Sequence, residues 1–282
     1  YYVFLGDYPT SIDFTEKNVE IRRQLGDKKG EGIGLMNIGL TYRFLGKFAN
    51  VLDYYNKAKD LFESINEIRC KITVYKLIAS MWMLQNQTKK ARTYFEKSLE
   101  IAKTTQESGL VGEALYRYGE YFHDMGNYEK ALGLYKEAEP ILIECDDKNI
   151  LTELHASYAD IYIKKQDFKA LQHAETSMKL ALEAKIKNSE INALRILGRA
   201  QATVGNDPTE GLKNIKRSIS IAKEINALSQ MAHSLYYLGE TLVANNKSTQ
   251  ALEYLNQAKK LYTNFKTPFW IERTNALIKK IS

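Results

Sequence analysis

Small residues that close short apolar runs recur along this chain at one interval. Gly39, Ala79, Gly119, Ala159, Gly198 and Gly239 stand 40, 40, 40, 39 and 41 residues apart. Seven residues after each comes a turn position, held by Gly46, Asn86, Gly126, Gln166, Gly205 and Asn246, and Gly6 fits one period earlier. Glycine there suits the left-handed backbone that ends a helix. A period between 20 and 50 residues restricts a chain to arrays whose units bury apolar surface only against their neighbours.

Each period holds two helical runs. Between Gly112 and Met125, Leu115, Tyr118, Gly119 and Phe122 lie three, four and seven apart, which is one helical face. After Gly126-Asn127, Ala131, Leu134, Tyr135, Ala138, Ile141 and Leu142 form a second stripe. A break of about two residues between helices forces an antiparallel hairpin. Gly119 would let the paired helix approach closely, and Tyr135 would fill the space between neighbouring hairpins. Only 4 prolines occur, which favours long helices. Pro140, well inside a second helix, predicts a kink. Asp207-Pro208 and Thr267-Pro268 each set a capping residue before a proline suited to a first helical turn.

The expected fold is all-α, an α-α superhelix. Residues 28–265 would form about six full hairpins, 1–27 a partial N-terminal repeat and 266–282 a C-terminal capping helix. The chain opens without Met on Tyr1-Tyr2-Val3-Phe4-Leu5, which reads as the tail of a helix already under way. We therefore expect a covalent neighbour upstream.

This pattern resembles the tetratricopeptide repeat along essentially the whole chain. The family's slots are held in the third repeat by Leu115, Tyr118, Gly119, Phe122, Ala131, Tyr135 and Ala138, and in the first by Leu35, Ile38, Gly39, Tyr42, Val51, Tyr55 and Ala58. The fourth departs, with Leu171, Glu175 and Met178 where a small residue, an aromatic and a small residue belong. The long period is similar to that of MalT-like, Rap-like and Pins-like arrays. The resemblance implies a protein- or peptide-binding scaffold that uses a concave groove. The alternative is the sensor or regulatory region of a larger signalling protein, such as a cyclase, histidine kinase or transcription regulator.

The family places groove-lining residues at fixed positions of each first helix. Carried over, these include Met36, Arg43, Lys76, Tyr116, Glu120, His123, Asp160, Arg195, Arg199, Tyr236 and Glu240. Such a groove would begin apolar, turn acidic through Glu113, Glu120, Asp124, Glu153 and Asp160, and end on the two arginines. It could hold an extended peptide by apolar anchors and charge pairing, unless these charges simply pair between neighbouring repeats. Lys76 matches one slot of the family's carboxylate clamp for chaperone tails, but Ser80 breaks the next.

Composition adds exclusions. Charged residues make up 26%, hydrophobic ones 44%, and the mean hydropathy is -0.40, so neither disorder nor a membrane span is expected. The net charge of +6 is gathered at the end, where Lys259, Lys260, Lys266, Arg273, Lys279 and Lys280 face only Glu272. We expect a solvated polar cap there, and no reading motif for nucleic acid accompanies it. Cys70 and Cys145 lack metal or disulfide spacing, which points to a reducing, cytoplasmic setting.

Phosphate-loop, dinucleotide, zinc-protease and serine-hydrolase motifs are all missing from the sequence. Its four histidines have no ligand spacing, so no metal, cofactor or catalysis is expected. An enzyme reading would need His123, Glu120 and Asp160 to converge. His155 is expected in the core, and Glu144-Cys145-Asp146-Asp147 as loop entry.

Overall fold

The computed structural model describes residues 8–281; Gly6 and the residue 1–5 helix tail lie outside them. Fourteen α-helices and no strands occupy the described residues. α1 is Tyr8–Gln24. Six hairpins follow: α2 Lys28–Phe44 with α3 Val51–Ser64, α4 Ile68–Leu84 with α5 Thr88–Lys103, and α6 Ser108–Asp124 with α7 Tyr128–Glu144. Next come α8 Lys148–Lys164 with α9 Lys169–Ala184, α10 Lys187–Thr203 with α11 Pro208–Glu224, and α12 Leu228–Ala244 with α13 Ser248–Phe265. α14, Pro268–Ile281, ends the array. The molecule is an α-α superhelix.

The turns explain the period. Left-handed residues sit at Gly26, Gly46, Asn66, Asn86, Gly126, Asp146, Gln166, Lys185, Asn206, Asn226, Asn246 and Lys266, nearly always 20 apart. Each lets the chain reverse while the last carbonyls of a helix stay satisfied. After α6, the Gly126 N–H donates to the His123 carbonyl at 2.9 Å and the Asn127 N–H to the Phe122 carbonyl at 2.8 Å. The turn after α5 has no such residue. There the hydroxyls of Thr104 and Thr105 donate to the carbonyls of Ile101 and Ala102.

Three local expectations change. In the fifth hairpin the left-handed residue is Asn206, not Gly205. That turn is one residue longer, so the Gly205 N–H still bonds within the helix end, to the Ala200 carbonyl. In the fourth hairpin the buried face of α9 is Ala170, Ala174 and Ser177, each one residue ahead of Leu171, Glu175 and Met178. α9 opens tightly, with the Ala170 and Leu171 N–H groups on carbonyls three residues back, so the inward face begins one residue early. Thirdly, the Thr267 hydroxyl does not cap α14; it donates to the Tyr262 carbonyl that ends α13. Asp207 does cap, accepting from the Glu210 N–H at 3.0 Å behind Pro208. α7 is helical on both sides of Pro140.

Packing within each hairpin follows the small residues. A Cβ on Gly39 or Gly119 would lie 2.5 Å from the ring of Tyr55 or Tyr135. Tyr135 also spans repeats, with ring centroids 5.7 Å from Tyr116 and 5.4 Å from Tyr158. The buried hydroxyls of Ser98 and Ser177 donate to carbonyls of Ile72 and Thr152 on the facing helix.

The superhelix closes on itself. Gly46 and Phe48 pack on Phe265, with the Phe48 and Phe265 rings 5.6 Å apart. Leu45 buries against Ala227. α14 crosses to the far turns: Asn86 Nδ2 donates to Glu272 at 3.0 Å, and Arg273 donates to the Asp124 carbonyl. One apolar cluster therefore joins α2–α6 to α12–α14.

Candidate functional site

The first helices α2, α4, α6, α8, α10 and α12 place polar side chains in the enclosed interior. Eight residues from the predicted groove, Lys76, Glu113, Glu120, His123, Glu153, Asp160, Arg199 and Glu240, fall into two ion-pair lattices. In the first, Lys76 pairs with Glu113 across the α4–α6 contact. Arg117 bridges Glu120 at 2.7 Å and Glu153 at 2.6 Å, and its guanidinium lies 5.0 Å from the centroid of Tyr116. Tyr116 is buried and shares a 3.3 Å hydrogen bond with Ser157.

In the second lattice, His123 Nε2 lies 2.8 Å from Asp160, whose other oxygen accepts from Arg199. Arg199 continues to Glu240 at 2.7 Å, and Lys164 reaches the same carboxylate at 2.6 Å. The Arg199 guanidinium stacks 4.0 Å over Tyr237. Burial raises the Asp160 carboxyl, but the charge of Arg199 and the bond from His123 outweigh it and hold it well below its usual range. Burial likewise opposes the His123 proton, and Asp160 overcomes that to raise its pKa.

The expected apolar–acidic–basic gradient is thus replaced by alternating pairs between successive repeats. The physical reason is burial: Asp160 and Arg199 are 7% and 3% exposed, and an uncompensated charge at that depth is costly. The remaining predicted groove residues lie towards the closure. Tyr236 is buried beside Trp270, with ring centroids 5.4 Å apart. Met36 is half-buried against the shared core, and Arg43 is half-buried at the end of α2.

Three important residues were missed by sequence: Arg117, Tyr237 and Arg273. Arg117 and Tyr237 each follow a mapped groove position, and helical spacing alone assigned them elsewhere. Arg273 was expected in the solvated basic cap but turns inward to Asp124. Trp270, in the expected capping helix, is buried on His233 and Tyr262 of the last hairpin. No signal separates Arg273 from its lysine neighbours before the closure is known.

His123 meets Asp160, but no hydroxyl or thiol among the described residues hydrogen-bonds to its ring. No group of three or more His, Cys, Asp or Glu among them is arranged to hold a metal. Asp147 caps α8, accepting from the Ile150 N–H at 3.0 Å, and Asp146 is the left-handed turn residue. None of the described helices is long and apolar enough to cross a membrane.

The molecule is therefore a helical-hairpin solenoid with a polar interior, the architecture of an interaction scaffold. Its family follows from comparison: profiles described as "Tetratricopeptide repeat" match residues 34–64, 71–144 and 233–264. The chain carries tetratricopeptide repeats over these residues. It is 26% identical over 180 residues to the outer dynein arm-docking complex subunit 4 of Mus musculus, covering 58% of this chain and 28% of that one. Curated relatives are matched over 24% to 32% of their length. A Rap protein complexed with Competence and Sporulation Factor superposes with a TM-score of 0.81 at 17% identity, over 94% of this chain and 73% of the other. The Rap conjugation regulator of plasmid pLS20 with its Phr* peptide gives a TM-score of 0.64 at 14% identity, over 90% and 75%. Those likenesses establish the fold.

Proposed function

We propose that the closed interior binds an extended peptide, or a peptide-like segment of a protein, without catalysing a reaction. The observation that carries this is the inward turn of polar side chains from six successive first helices. Within that interior, half-buried His123 and Glu240 retain exposure beside buried Asp160 and Arg199, and Glu120 and its partner Arg117 are both half-buried. Such a surface can exchange hydrogen bonds with a peptide backbone while the lattice below stays fixed. The Rap structures named with Competence and Sporulation Factor and with Phr* support the reading as structural neighbours. α14 supports a second, regulatory aspect: a segment packed across the ends of the coil is placed to shift when the interior fills.

Photocrosslinking tests the location. A benzophenone amino acid would replace Met36 or Glu120 inside, and Phe168 or Leu182, which are 67% and 56% exposed, outside. With a randomised pentapeptide pool as probe, crosslinks should form from the first two positions. Crosslinks confined to Phe168 and Leu182 would move binding to the outer surface.

A further inference from the structure

Five interior cations have carboxylate partners: Lys76, Arg117, Lys164, Arg199 and Arg273. Arg195 does not. It is 9% exposed, and no described carboxylate lies within ion-pair distance. Its Nη2 donates to Asn192 at 2.6 Å, and its Nη1 donates to Gln230 at 3.1 Å and Ser234 at 3.4 Å. Its guanidinium lies 5.7 Å from the Tyr237 centroid. These neutral acceptors and a ring face stand where those five cations have an anion. A guanidinium carries five donors, so Nε–H and one Nη2 hydrogen remain unused. That is the planar fork that matches a carboxylate bidentately.

The surroundings have the same polarity. Asn192 and Gln230 turn their amide oxygens to Arg195, which leaves their NH2 groups as donors beside it. Arg43, at the end of α2, also has no ion-pair partner among the described residues. α2 packs on α12, which carries His233 and Ser234. Burial first, then the charges of Arg195 and Arg43, keep His233 neutral, so both guanidinium groups act on this one locality. Burial also lowers Arg195 to about 10, the signature of a cation lacking its anion.

We propose that Arg195, with Arg43 across the seam between the first and last hairpins, anchors a carboxylate of the bound peptide. That carboxylate is the free C-terminus or an Asp or Glu side chain, and the inference rests on the peptide reading above.

The probes are four randomised pentapeptide pools: free-acid or amidated C-termini, each with or without Asp and Glu. Peptides retained by the whole chain are counted by mass spectrometry for wild type, Arg195→Gln and Arg43→Gln, with circular dichroism and melting checked for each. Wild type should prefer carboxylate-bearing peptides by about tenfold or more, the scale of one charge-assisted pair. Acid over amide in the Asp/Glu-free pools assigns the C-terminus. Preference for Asp or Glu with either terminus assigns a side chain. Arg195→Gln should abolish the preference, and Arg43→Gln, which leaves the buried network untouched, should reduce it. Equal retention of all pools by wild type, or a preference that survives both substitutions, overturns the carboxylate anchor and leaves the peptide reading intact. Retention of no pool overturns both.

Discussion

Arg199 on α10 sets its guanidinium on the carboxylate of Asp160 on α8, 39 residues earlier in the chain. One repeat thus bonds to the next through corresponding turns of their first helices. Arg199 then reaches Glu240, 41 residues further on, so three hairpins share one buried cation. Removing one partner leaves a charge without compensation. Arg199→Met should cost about 3–5 kcal/mol, and the pair Asp160→Asn with Arg199→Met should recover part of it. Urea denaturation checks this. A loss below about 1 kcal/mol would mark the pair as surface-like.

The His155–His173 contact sets a pH window. Their Nδ1 atoms lie 3.0 Å apart and the rings stack. Burial and the neighbouring His155 lower His173 to about 4, and burial lowers His155. The folded state therefore favours the neutral rings. Their stabilisation is present above about pH 6.5 and lost as pH falls towards 4. His123 runs oppositely: its raised pKa gives stabilisation present below about pH 6.5 and lost as pH rises through the folded value. Between pH 7 and 5, His173→Asn should flatten the fall in melting temperature, whereas His123→Asn should steepen it. Thermal melts of the two variants beside wild type decide the signs.

Backbone positions give a matched pair of opposite effects. A Cβ on Gly198 would meet the Gly211 carbonyl oxygen at 2.4 Å, where α10 and α11 cross. Gly198→Ala should cost about 1–3 kcal/mol by forcing these helices apart. Gln166 is exposed and left-handed at φ 55°, so Gln166→Gly should stabilise by about 0.5–1 kcal/mol. Equal effects of the two changes on the denaturation midpoint would contradict this account of the turns.

Closure of the coil depends on Phe265. Phe265→Ala should cost about 3–5 kcal/mol and speed amide exchange at residues 45–48 and 85–87, well removed in sequence. Exchange confined to α13 and α14 would show that the ends do not support one another.

Much of the helix layout is legible in sequence because local rules fix it. Gly119 and Tyr135 announce a close helix pair by spacing alone, and Asp207-Pro208 announces a helix start. The shifted face of α9 is only half legible: Leu171, Glu175 and Met178 depart from the family's slots, but only the tight opening of that helix shows that Ala170, Ala174 and Ser177 turn inward instead. For the interior, helical position brings Asp160 and Arg199 to one surface. It cannot show that the coil closes over them, since closure depends on contacts such as Arg273 with Asp124, 149 residues apart. The same closure turns a graded groove into a paired lattice and leaves Arg195 as the exception.

Hydrogen–deuterium exchange with a peptide taken from the randomised pools tests the central claim, interior binding, most directly. Binding should slow exchange in the first helices α6, α8, α10 and α12 while the outer second helices α7 and α9 stay unchanged. Protection confined to α7 and α9, with the first helices unaffected, would contradict it.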